Sequence, residues 1–201
     1  MDTSLTSYRD RLQERALDLL WGQWCALGVS GSAPPPGARV IDPEALVAAT
    51  CSFGRADPRM FDEMLDWLRT NGPSVNTQRL RTLVGAHGFH GAAVLSAAAA
   101  FLRQYDRSAR WRTLAQRQRS AEAEPLFRFR DGKPMSSFGE VEAVFAEHGF
   151  LRGVVELRGY SQAFAPRLPA CLGMRLRALF GVNVRAEAVL FLLAHPEGAN
   201  P

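Results

Sequence analysis

The sequence predicts a mainly α fold, a multi-helix bundle that carries a short β-hairpin or extended arm. Three observations predict it. Apolar residues recur at helical spacing along most of the chain. The pairs Asp42-Pro43 and Asp57-Pro58 each set a capping acid before a proline at the first helical position, where the missing N–H costs nothing. Strand-like composition is confined to two short stretches, 126–130 and 151–160.

Taken in order, residues 4–27 read as a long amphipathic helix with Leu5, Tyr8, Leu12, Ala16, Leu19, Leu20 and Trp24 in period, closed by Gly28. Trp21 and Trp24 near its end are expected to pack into the core. Residues 29–39, with three prolines, form a linker. The two Asp-Pro caps open helices over 43–52 and 58–70, the second with Met60, Phe61, Met64, Leu65 and Leu68 on one face. A short helix over 77–84 follows Asn71-Gly72-Pro73. Its spacing from the preceding helix invites a helix-turn-helix reading, but Asp62, Glu63 and Asp66 would repel phosphate, so packing is the expectation there. Those three acids are expected on a solvated face.

The alanine-rich stretch 91–104 reads as a central helix that lets its neighbours approach closely. Residues 108–120 read as a basic helix anchored by Trp111 and Leu114. Residues 126–130 form a short strand or arm ending at Asp131-Gly132, which could pair with 151–160. Between them Ser137 and Glu140 have capping-box spacing at the start of a helix over 138–148. The chain ends in a helix pair that breaks near Gly181 and restarts at Asn183, with Glu187 in the new first turn. These elements divide the chain into a helical bundle over 1–120, a small α/β connector over 121–166, and a terminal segment over 167–201.

At 201 residues, 47% hydrophobic and 22% charged, the chain can bury a proper core, which excludes disorder as its main state. The net charge of +4 is uneven: residues 1–72 hold seven basic and ten acidic side chains, and 103–133 hold nine and four. That middle segment is the candidate phosphate-contacting surface, with Arg107, Arg110, Arg112, Arg117, Arg119, Arg128, Arg130 and Lys133, since the arginines from 107 to 119 follow one another without intervening acid, as suits a nucleic-acid backbone. An ordinary solvated helix exterior accounts for the same residues about as well. Cys25, Cys51 and Cys171 lie far apart in apolar contexts and read as buried free thiols of a reducing compartment. No signal peptide or membrane span is apparent, so the expected location is the cytoplasm and no membrane contact is expected.

Phosphate-cradling glycine motifs, a nucleophile elbow and the H-E-x-x-H zinc motif are all missing, so no enzymatic activity and no cofactor is expected. His87 and His90 lack a nearby third ligand, and no metal site is expected. His148 and His195 fall in last turns of helices, where a partial positive charge is favoured. Val189, Leu190 and Leu193 lie in a final helix that is apolar on most of its circumference, and are expected to form an oligomer interface.

The stretches LWGQWCALGV (20–29), VIDPEAL (40–46), DPRMFDEMLDWLRTNG (57–72) and RLRALFGVNVRAEAVLFLLAHPEG (175–198) resemble a group of uncharacterised bacterial proteins. Members of that group continue into a C-terminal winged-helix domain and are described as helix-turn-helix transcriptional regulators. The resemblance spans nearly the whole chain and implies that 167–201 begins a winged-helix-like segment, cut before its recognition helix. It implies a DNA-associated regulator whose helical N-terminal region serves assembly or partner sensing, with double-stranded DNA and a second copy or partner protein as the expected partners. The alternative expectation is a non-enzymatic, antitoxin-like module that binds another protein, based on the opposed charge of 1–72 and 103–133.

Overall fold

The computed structural model describes residues 3–31, 33, 37, 39–86, 90–106, 108–116, 123–136, 139–195 and 197, with side chains from Tyr8 onward. The described residues are mainly helical, with one two-stranded sheet. In the second half of helix α1 (Thr3–Ala26), Leu17, Leu20 and Trp24 are buried, while Tyr8, Leu12 and Leu19 of the expected apolar face are exposed. It ends as the sequence indicates: Gly28 has φ of +101°, and a Cβ there would stand 3.3 Å from the Gln162 carbonyl oxygen.

Both Asp-Pro starts are helix starts. Asp42 accepts from the N–H groups of Glu44 and Ala45 at the head of α2 (Pro43–Phe53), and Asp57 accepts from Met60 N–H at the head of α3 (Pro58–Asn71). Each cap contributes about 1 kcal/mol. A 3-10 turn at Gly72–Ser74 leads to α4 (Thr77–Ala86), and α5 (Ala92–Leu102) follows. The small residues of α5 do what small residues allow. Ala97, Ala98 and Ala99 are fully buried, and at Gly91 an added Cβ would meet the Cys51 backbone at 2.7 Å, so the two helices touch main chain to main chain.

The core centres on α3. Met60, Phe61, Met64, Leu65 and Leu68 are buried as the periodicity requires. Trp24 and Trp67 meet edge to face at 5.3 Å, and each indole N–H has an acceptor, Thr50 Oγ1 at 3.0 Å and the Leu27 carbonyl at 2.8 Å. Trp21 sits at the rim with its N–H on Asp57 at 2.7 Å. One continuous core runs from Leu17 to Met174 and draws on all three segments of the chain. Cys51 and Cys171 are buried, and burial pushes the Cys51 thiol up to about 12.

Three expectations need correction. Of the helix expected over 108–120, residues 108–116 form bends and turns instead, although Trp111 and Leu114 are buried as anchors, and 117–120 lie outside the described residues; Trp111 packs against Gly72, where an added Cβ would stand 3.3 Å from its ring. The β pairing is shifted: β1 (Glu124–Pro125) pairs in parallel with β2 (Phe150–Leu151), the Leu126 N–H continues it onto the Leu151 carbonyl, and the rest of 126–130 leads into a turn across which Arg128 bridges Pro134. The helix expected over 138–148 is shortened to α6 (Ala143–Glu147), capped without a side chain at Glu142; the proposed cap residue Ser137 lies outside the described residues. The last two helices are α7 (Leu172–Phe180) and α8 (Val184–Ala194), joined through Gly181 at φ of +84°. A winged-helix arrangement is not defined by these elements.

Candidate functional site: a clasped helical hairpin beside a charged cleft

Helices α7 and α8 form a hairpin that is fixed to the body through α7 and the 3-10 turn Pro169–Cys171 before it. Ala170, Cys171, Met174 and Leu176 are buried beneath it, and the Ile41 N–H donates to the Ala170 carbonyl at 3.0 Å. The clasp is ionic. Glu44 has no solvent exposure, and its two oxygens accept from both terminal nitrogens of Arg177 at 2.7 and 2.8 Å, from Arg79 at 2.8 Å and from the Asn76 N–H at 2.8 Å. Arg177 in turn reaches Glu187 of α8 at 2.7 Å and the Ser74 carbonyl at 3.0 Å, so one guanidinium joins α2, the 72–74 turn, α7 and α8. Burial opposes the charge on Arg177, but the carboxylates of Glu44 and Glu187 outweigh it and raise its pKa. Burial likewise works to raise Asp42, yet paired hydrogen bonds from Arg79 and the Ala45 N–H hold it below its ordinary value. Every charge here is matched, which is the condition under which buried ions are tolerated.

The clasp turns one side of α8 inward: Ala186 is buried, Glu187 faces Arg177, and Leu190 lies 3.4 Å from where a Cβ on Gly173 would stand. Asn183 caps the helix through the Arg185 N–H at 2.9 Å. The opposite side lies open among the described residues. Val184 is 78% exposed and Leu192 63%, with Ala188, Phe191 and His195 on the same stripe. Phe191 and His195 stack at 4.4 Å. Of the residues expected at an interface, Leu193 is exposed, while Val189 and Leu190 are half-buried against the hairpin.

On the other flank, the expectation of a solvated acidic face on α3 is corrected at Asp66, while Asp62 and Glu63 are half-buried. Asp66 is 3% exposed and accepts from the N–H groups of Gly159 at 3.1 Å and Ser161 at 2.9 Å. Asn71 extends the same seam, donating to the Gln162 carbonyl and accepting from the Phe164 N–H. Asp62 contacts Arg152 at 2.7 Å, and the Arg152 guanidinium is itself buried over the rings of Phe61, Phe127 and Phe145. The 153–164 segment is thus held on α3 by side chains in place of a strand ladder. Between them is a cleft of about 520 Å³, lined by Asp62, Glu63 and Asp66 on one side and Arg158 and Tyr160 on the other. Burial and the charge of Asp66 raise the Glu63 pKa, with Arg59 and Arg158 pulling the other way.

The basic candidates are dispersed, and most meet acids of the same chain. Arg110 pairs with Asp106, Arg128 with Glu124, Arg130 with Glu14 and Lys133 with Asp131. Arg112 is exposed and makes no ion pair among the described residues. Arg107, Arg117 and Arg119 lie outside them, as does His87; His90 is exposed. No group of His, Cys, Asp or Glu among the described residues could hold a metal ion, and no described helix is long and apolar enough to cross a membrane. His148 Nδ1 lies 2.9 Å from the Val144 carbonyl and His195 Nδ1 3.0 Å from that of Phe191, each a local contact at a helix end.

No protein-family model, no curated protein and no solved structure matches this chain.

Proposed function

We propose that this chain is the helical body of a DNA-associated regulatory protein that works by binding and not by catalysis, with the α7–α8 hairpin as its contact surface. One observation carries the reading: a helix with an apolar, solvent-facing outer stripe is fixed to the core by a buried ion network, and not left as a loose tail. A fixed, solvent-facing apolar helix serves docking, since preorganisation lowers the entropy lost on association. The basic balance of 103–133, with exposed Arg112, supports the DNA association.

A second reading, a protein-binding module without DNA contact, is favoured by the carboxylate partners of Arg110, Arg128, Arg130 and Lys133, which weaken the field those cations offer a phosphate backbone. Fluorescence anisotropy with duplex DNA over a salt series separates the two. The DNA reading expects binding that weakens with salt, and a shallower dependence when Arg110, Arg112, Arg117 and Arg119 become Gln, by about 0.9 in slope for each phosphate no longer neutralised. Absence of binding at low salt removes it and leaves the protein-binding module.

A further inference from the structure

The geometry points to the outer stripe of α8 as a two-fold docking face for a second copy of this chain, the two α8 helices packing antiparallel about Ala188. The pairing does not depend on any contact with DNA.

The stripe has the spacing of a helix-packing seam. Val184, Ala188, Phe191, Leu192 and His195 follow one another at intervals of four, three, one and three residues, along the side that the Arg177–Glu187 contact turns away from the body. An antiparallel register centred on residue 188 sets Val184 against Leu192 of the second copy, and Arg185 beside its Phe191. Ala188 then meets Ala188 at the axis, where the smallest side chain lets the backbones come close.

Charge argues for this occupant. The only carboxylate on α8 is Glu187, and it is spent on Arg177, so no acid faces the seam. The only cation is Arg185 in the first turn, where a positive charge is unfavourable to its own helix dipole. Antiparallel packing carries Arg185 to the last turn of the second copy's α8, where carbonyl oxygens carry partial negative charge and the Phe191 ring offers a face. A parallel pairing would instead bring the two arginines together.

The apolar area is that of a docking patch. Val184 and Leu192, each more than 60% exposed, and half-exposed Phe191 offer apolar surface on the order of 300 Å² along the stripe. That lies in the range of the largest apolar patch on a typical monomer, a class of patch that is often functional, and it forms the apolar centre of an interface whose rim the rest of the hairpin supplies.

The test uses the full chain. Light scattering across protein concentration is expected to show a dimer. Ala188→Glu, at an exposed helical position, should give a monomer of 22.1 kDa with an unchanged far-UV spectrum, its dimer dissociation constant raised at least about a hundredfold by two like charges meeting at the axis. Register is read by oxidation. Ala188→Cys should cross-link readily. Val184→Cys alone should not, because its symmetry mate lies about 12 Å away along the pair, beyond the reach of a disulfide. Val184→Cys combined with Leu192→Cys should restore the link. A wild-type chain that stays monomeric at all concentrations overturns the proposal, as does a dimer that Ala188→Glu leaves intact, or cross-linking at 184 as efficient as at 188.

Discussion

Replacing Glu44 by Gln changes one atom in shape and removes the charge on which the hairpin clasp depends. In the folded chain Glu44 accepts from Arg177 twice, from Arg79 and from the Asn76 N–H, all at 2.7–2.8 Å, with no exposure to solvent. A glutamine keeps one acceptor oxygen but turns an NH2 group toward two guanidinium groups, so donors face donors. Arg177 keeps Glu187 and the Ser74 carbonyl, and Arg79 keeps Asp42, which moderates the loss. Breaking a buried pair by removing one partner costs about 3–5 kcal/mol. With those residual partners we expect about 3 kcal/mol, a large share of a total near 5–15 kcal/mol and about 6–12 °C in Tm for a chain of this size. Urea unfolding followed by tryptophan fluorescence suits the measurement, because Trp24, Trp67 and Trp111 are buried and report the whole core. The double replacement Glu44→Leu with Arg177→Met should cost less than the sum of the two single changes, since it removes both charges together. A loss below about 1 kcal/mol for Glu44→Gln, or strict additivity in the double variant, would refute the reasoning.

Further outcomes follow from other contacts. Asp66→Ala leaves the N–H groups of Gly159 and Ser161 without their acceptor and should cost about 2 kcal/mol in the same urea assay, together with faster hydrogen exchange over 157–164. Gly91→Ala forces α5 away from the Cys51 backbone and should cost about 1–3 kcal/mol; no loss would mean the helices slide apart freely. Because the folded pKa of Asp42 is lowered, its contribution is present above the unfolded carboxylate value and disappears as pH falls below about 4, so Asp42→Asn should flatten the acid limb of a stability-against-pH curve. Glu63 has the opposite sign. Its folded pKa is raised, so its contribution is lost as pH rises from its ordinary value of 4.5 toward the higher folded value, and Glu63→Gln should stabilise the protein by a few tenths of a kcal/mol at neutral pH while leaving acid stability unchanged.

What the sequence made legible was local. The Asp-Pro caps of α2 and α3, the apolar face of α3, the break at Gly28 and the restart at Asn183 are each settled by residues within one or two turns, and each stands where the spacing places it. What it concealed was long-range. Glu44 and Arg177 are 133 positions apart, and no local spacing links them, yet they are the ion pair on which the hairpin rests. Asp66 sits among acids at a spacing that fits a solvated face, and only the arrival of 153–164 across α3 gives it two N–H donors. The 108–116 segment kept its anchors without its helix: Trp111 and Leu114 are spaced as a helix would space them, and turns suffice to bury both. The apolar character of α8 was plain from its composition, whereas which side faces out depends on the Glu187 contact with Arg177, a tertiary fact no periodicity contains.

The central claim is that α8 is a fixed platform with an open outer face, and amide hydrogen exchange tests it most directly. Measured on the Ala188→Glu chain, so that pairing does not contribute protection, the α8 amides should exchange about as slowly as those of α7, and Glu187→Gln should speed α8 while sparing α3. Exchange of α8 at the rate of an unstructured peptide, with α7 still protected, would contradict the claim.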